Sequence, residues 1–305
     1  MKIMIPAVFA LLFSAVASAQ AAPCTLQKLT TLDMQLKDGH ALVPVTVNGE
    51  AENLIVDTGG AFSMLSESAA HKLGLPLHPQ MWSEFVMFGG IHSTKMAMAS
   101  RISVGTLNAY RYYFAVLPDG ALEDGVDGLL APNILAANDI DFDFANRKFS
   151  IFSQTHCYGG VVYWTRDSFV SIPFHIDDIH HIETQLTLDG QAIDATVDTG
   201  APYTTMSLET AERLYHIDPK SPDLKPVKDD DGKSVFGYSY PFKTLSLGGL
   251  TVNNPHVILV SDSKSTFLGG NAVPNVLLGF SILSKLHLYI AYGEKNLYIT
   301  PADAH

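Results

Sequence analysis

A chain of 305 residues with 47% hydrophobic and 16% charged side chains can bury a sizeable core and is not the composition of a disordered protein. Its 31 acidic against 19 basic residues give a formal net charge of −12 at pH 7. That balance argues against nucleic acid, or an anionic membrane surface, as a partner, because both would be repelled.

The first residues hold one lysine, an apolar run from Ile3 to Val16, and the small-residue trio Ala17, Ser18, Ala19. This is the layout of a secretory signal peptide over residues 1–19, cleaved at Ala19 or a few residues later. The alternative is a membrane anchor, but the run is short for a span of about 20 residues. Lipidation at Cys24 would want a leucine three positions earlier, where the chain has Ala21. No later run is long and charge-free enough to span, so the expectation is a soluble, exported protein, periplasmic or secreted. Cys24 and Cys157 are expected to pair in an oxidising compartment, with two buried free thiols as the alternative.

From residue 42 the chain reads LVPVTVNGEAENLIVDTGGAFSML, and from residue 182 IETQLTLDGQAIDATVDTGAPYTTM. The two align without a gap at an offset of 141, Gly49 on Gly190 and Asp57 on Asp198. Alternation at Val43, Val45 and Val47, and at Leu186 and Leu188, predicts strands. Asn48-Gly49 and Asp189-Gly190 are hairpin dipeptides, because both residue types accept positive φ. Each repeat thus begins with a hairpin whose second strand runs into Asp-Thr-Gly.

A short helix is expected next in each repeat, capped by Ser66 or Ser207. ISVGTLNAYRYYFAVL and LSLGGLTVNNPHVILV then predict a further hairpin in each half. Each half closes with a strand, a short helix starting near Asn133 or Ser281, and a hairpin turning at Asn146 or Gly293-Glu294. The fold class expected is all-β, mainly β with a few short helices, in two pseudo-symmetric barrel lobes. They would cover residues 24–157 and 158–305, the boundary falling within 155–170.

A single Asp-Thr-Gly is ordinarily a turn. Two copies, each after a strand and at one place in a repeat, call for another account. In its paired VDTG elbows, in Ser63 and Thr204 six residues after each aspartate, and in the LLG at 277–279, the chain resembles the retropepsin and pepsin type of aspartic peptidase, specifically bacterial retropepsin-like proteins. The resemblance covers nearly all of the mature chain. It implies that Asp57 and Asp198 share one water, and that Thr58 and Thr199 hydrogen-bond across a pseudo-two-fold axis. It also implies that Gly59 and Gly200 let the backbone turn beside the carboxylates, and that a peptide or protein is the substrate. The chemistry agrees: two close carboxyls keep one proton between them, so one acts as base and the other as acid. No cofactor and no metal is needed. The first repeat departs from the pattern at Ala131, in LLA, and at Gly60.

Two flaps are expected over the cleft, one carrying Phe88, Gly89 and Gly90, the other Phe236-Gly237 or Asp231-Gly232. Plain surface hairpins are the alternative. The HIDDIHH stretch at 175–181 fits no zinc spacing and reads as a polar connector. KDDDGK reads as a solvated turn, and Trp82 and Trp164 as packing residues. The reading is an exported aspartic endopeptidase acting as a monomer with an internal pseudo-dimer. The rivals are a weak or inactive peptide- or envelope-binding protein on the same fold, and an obligate dimer in which each repeat pairs with another chain.

Overall fold

The computed structural model describes residues 24–79, 85–86, 92–178, 180–228, 234–261 and 275–303. The expected signal peptide, Phe88, Gly89, Gly90 and Trp82 lie outside the described residues. Among the described residues no helix is long and apolar enough to cross a membrane.

The first hairpin of each repeat forms as expected. His40–Val47 pairs antiparallel with Glu50–Val56, and Ile182–Leu188 with Gln191–Val197. Their turns carry positive φ at Asn48 and Gly49 (51° and 99°) and at Asp189 and Gly190 (46° and 84°). Val43, Val45, Val47, Leu186 and Leu188 all face the main core. Both serine caps also form. Ser66 Oγ accepts from the Ala69 amide at 3.1 Å, and Ser207 Oγ from the Thr210 amide at 3.0 Å. They open the helices Glu67–Lys72 and Leu208–Tyr215.

In the first lobe six strands close into a barrel. The order is His40–Val47, Glu50–Val56, Gly128–Leu130, Met64–Ser66, Leu107–Leu117 and Lys95–Val104, returning to the start through Thr46↔Ser103 and Val47↔Ile102. The second lobe stays open as a half-barrel. Where the first has the single strand Lys95–Val104, the second has Val235–Tyr240 and Thr244–Leu247 with Pro241 between them. Proline offers no N–H to continue the ladder. The partner strand breaks as well. Arg111 (φ 54°) lies inside Leu107–Leu117 without shifting its register, whereas Asn254 (φ 48°) separates Leu250–Asn253 from Val257–Val260.

The closing hairpins of the two halves join in one six-stranded sheet, ordered Lys28–Asp33, Lys148–Phe152, Asp139–Asp143, Leu286–Ala291, Asn296–Pro301, Val170–Pro173. Its centre is a ladder between the halves, from Ile140↔Ile290 to Asp143↔His287. Phe142 and Leu288, opposite each other in it, are fully buried. Residues 153–169 contain no strand, and His156, Tyr163 and Trp164 bond to Asp139, Asp141 and Thr300 of this sheet. There Cys157 is bonded to Cys24, His156 Nε2 lies 2.6 Å from Asp139, and His287 Nε2 lies 2.8 Å from Asp141. Trp164 stacks on His287 at 4.2 Å, which bears out its reading as a packing residue.

Candidate active site

Each aspartate stands just past the end of its strand, and the parallel strand beside it fixes its backbone. The Asp57 amide donates to Leu130 O at 2.9 Å, and the Asp198 amide to Leu278 O at 3.0 Å. A latch repeats beside each of them. Ser63 Oγ accepts from the Ala131 amide at 2.9 Å and donates to Asn133 Oδ1 at 2.9 Å. Thr204 Oγ1 accepts from the Gly279 amide at 3.1 Å, and the Thr204 amide donates to Ser281 Oγ at 3.1 Å. The hydroxyl six residues after each aspartate therefore ties the elbow to the short helix that follows the LLA or LLG.

Between the elbows the threonines cross over. Thr58 Oγ1 donates to Val197 O at 2.8 Å and Thr199 Oγ1 to Val56 O at 2.6 Å. Each hydroxyl also accepts the other threonine's amide, at 3.1 and 3.0 Å. All six groups in these four bonds are buried and satisfied within the pair of elbows, which is what holding two loops at a fixed separation requires.

The carboxyl groups that result face each other and are nearly closed off from water, Asp57 being 8% and Asp198 7% exposed. A Cβ on Gly59 would sit 2.2 Å from Asp198 Cγ, and one on Gly200 2.5 Å from Asp57 Cγ. Each glycine is thus the space into which the opposite carboxyl fits. Burial, then the charge and hydrogen bond of Asp198, push the Asp57 carboxyl well above its ordinary value. Burial also raises Asp198, but the hydrogen bond from Asp57, the Gly200 amide, the charge of His181 and the Ala201 amide all oppose it. A pair so coupled keeps one proton in common.

The two departures in the first repeat lie side by side. A methyl at Gly60 would lie 2.5 Å from Asp57 Oδ2 and 3.4 Å from Ala131 Cβ. In the second repeat the same loop position is Ala201, and a methyl at Gly279 would lie 2.8 Å from Ala201 O and 2.2 Å from Tyr203 O. One methyl sits on the elbow in one lobe and on the supporting strand in the other. The elbow support keeps its form on both sides.

The flap expectations fare differently. Phe85–Val86 pairs with His92–Ser93, on either side of the residues named for the first flap. In the second half Gly237 pairs with Val227 and Val235 with Lys228. Phe236-Gly237 is therefore on the returning strand and is not a hairpin tip. The connection falls within 229–233, outside the described residues. Gly237 serves close strand approach, since a Cβ there would lie 2.6 Å from Leu259 O. Phe236 still faces the elbow region, its ring 6.3 Å from that of Tyr203. Tyr203, 38% exposed on the loop after Asp198, had no signal in the sequence beyond its proximity to the motif. The HIDDIHH histidines separate: His175 lies 2.6 Å from Glu183, and His181 3.2 Å from Asp177.

Two pseudo-symmetric β lobes with an aspartate elbow from each define the fold of a pepsin-like acid protease. A family profile described as Aspartyl protease matches residues 43–131 and 184–282. The chain belongs to the aspartyl protease family. Among solved structures it is similar to the aspartic proteinase from Irpex lacteus, with a TM-score of 0.55 and 12% identity over 90% of this chain and 97% of that one. At that identity the likeness speaks for the fold. No curated protein sequence matches the chain.

Proposed function

We propose that the protein is an exported aspartic endopeptidase that hydrolyses peptide bonds with a water activated by Asp57 and Asp198. The observation that carries this reading is the pair of buried carboxyls, each packed against the glycine of the opposite elbow and held by the Thr58–Thr199 crossover. A water between them loses a proton to the ionised carboxyl as its oxygen attacks the scissile carbonyl carbon. The protonated carboxyl gives its proton to the carbonyl oxygen. When the tetrahedral intermediate collapses, the proton taken from water passes to the departing amine, and a hydroxyl of the intermediate returns a proton to the carboxylate that had given one. The substrate lies extended across the two elbows, its backbone bonded as an added strand would be.

Export is supported by the leader-like residues 1–19 and by the Cys24–Cys157 bond. Residues 24–157 and 158–305 are taken as the two lobes of a protein that works as a monomer.

The test is incubation of the mature protein with a random peptide mixture between pH 3 and 7, with products read by mass spectrometry. Catalytic efficiency is expected to follow a bell, highest on the acid side of neutral, whose limbs belong to the carboxyl pair. Peptide binding without cleavage at any pH would overturn the reading in favour of a binding protein on the same fold.

A further inference from the structure

The shared sheet has a second face, opposite the one that Phe142 and Leu288 turn to the main core. Asp139 and Asp141 of the first half project from it, both 0% exposed, with His287 and Tyr289 of the second half beside them. Segment 153–169 lies over these groups, and its His156 meets a carboxyl from each half. His156 Nε2 lies 2.6 Å from Asp139 Oδ2 and Nδ1 3.3 Å from Glu294 Oε1, with the imidazole side chain 2% exposed. The Gly159 amide donates to Glu294 Oε1 at 2.8 Å, and Tyr163 Oη to Asp141 Oδ2 at 2.7 Å. Trp164 donates to Thr300 Oγ1 at 3.0 Å and stacks on His287. Val161 packs with Phe152, Tyr289, Ala291 and Tyr298 of the sheet in an apolar cluster apart from the main core.

The charges under the segment balance only when imidazole is protonated. Asp139, Asp141 and Glu294 are three carboxyls whose side chains are at most 7% exposed. Among the described residues none of them has a lysine or arginine partner; their bases are His156 and His287. A buried carboxylate left without its cation is costly. The other titratable groups here are tyrosines. Tyr289, Tyr298 and Tyr163 donate to Asp139, Glu294 and Asp141, and Tyr158 is bonded to Asn296. Lys28 sits over the Tyr163 ring at 4.7 Å. Burial acts to lower the His156 pKa, but Asp139, the Cys157 carbonyl and Glu294 outweigh it and hold the imidazole above its ordinary 6.5. The folded protein therefore binds that proton more tightly than the unfolded chain. Stability from this source is complete below the ordinary value and is lost as pH rises through the folded one.

We propose that segment 153–169 is a proton-operated strap: the His156 imidazolium fastens it across the joint between the halves in acid, and it lifts from the sheet as that proton is lost. The inference is independent of the peptidase reading, and its test measures no turnover.

The experiment follows amide hydrogen exchange by mass spectrometry in the mature protein at about pH 5 and about pH 8, corrected for intrinsic rates. Peptides covering 153–169 are compared with those covering the ladder strands Asp139–Asp143 and Leu286–Ala291. In wild type the strap should lose protection several-fold at the higher pH while the ladder keeps its own. His156→Gln cannot become a cation, so its strap should exchange alike at both pH values, at the faster wild-type rate. Asp139→Asn removes the carboxylate that needs the cation, and its strap should stay protected at both. Equal protection of the wild-type strap at the two pH values overturns the inference. So does a His156→Gln strap that keeps the wild-type difference, or an Asp139→Asn strap released at the higher pH. A wild-type measurement decides if the variants fail to fold. In proton NMR of the histidine rings His156 should titrate above its ordinary 6.5, and titration at or below it overturns the inference.

Discussion

Thr58 and Thr199 each donate a hydroxyl hydrogen to the backbone of the opposite repeat and each accept the other's amide, four bonds within 2.6 to 3.1 Å. Replacing Thr58 by valine keeps the shape but strands Val197 O and the Thr199 amide in a buried place. The expected loss is about 2 to 4 kcal/mol of unfolding free energy, together with most of kcat. Thr58→Ser, which keeps the hydroxyl, should retain both. Chemical denaturation beside steady-state kinetics checks the pair of variants.

Asp57→Asn and Asp198→Asn are each expected to abolish peptide hydrolysis with the fold kept, because in the proposed reaction each carboxyl is half of one acid–base device. Their stability carries a second signature. The Asp57 carboxyl is raised above its ordinary 3.8, chiefly by burial, so the folded protein holds that proton more tightly than the unfolded chain. Stability from this source is complete below the ordinary value and is lost as pH rises through the folded one. Asparagine has no proton to lose. Asp57→Asn should therefore melt higher than wild type near pH 7, with the gap closing below pH 4, and a series of thermal melts decides it.

Gly60→Ala places a methyl 2.5 Å from Asp57 Oδ2 and should cost most of the activity by displacing that carboxyl. Adding Ala131→Gly recreates the arrangement of the second lobe and should recover a large part of it. A double-mutant cycle on kcat/KM reads the coupling directly. Additive losses would mean that the two positions do not compensate each other.

Reduction of the Cys24–Cys157 bond, which spans 133 positions of sequence, should lower the melting temperature markedly. Opening a loop of that length costs about 4 to 5 kcal/mol in the chain-entropy account. The bridge lies along the shared sheet, apart from the residues that hold the dyad, so activity at low temperature should change little. A thiol count on the denatured, unreduced mature protein should find no free thiol.

What the sequence disclosed was local. The gapless alignment of Asp57 on Asp198, the Asn-Gly and Asp-Gly turns and the serine caps are all set within a few residues, and each appears where its chemistry put it. The union of the closing hairpins was not readable, since alternation at Phe142 or Leu288 marks a buried face without naming the strand beside it. Phe236-Gly237 misled for a related reason. A glycine that admits a neighbouring backbone looks in one dimension like a glycine that turns the chain. The nearness of Gly60 to Ala131 was hidden too, because their separation of 71 in sequence vanishes only when Gly128–Leu130 pairs with Glu50–Val56.

The ladder from Ile140↔Ile290 to Asp143↔His287 has a kinetic consequence. If each half had to meet its counterpart in solution, the fraction of molecules holding a complete dyad would fall on dilution. Here the partner arrives tethered, at an effective concentration set by the connecting segment and not by how much protein is present. Specific activity should then be indifferent to dilution, and a complete site would exist wherever a single folded chain does.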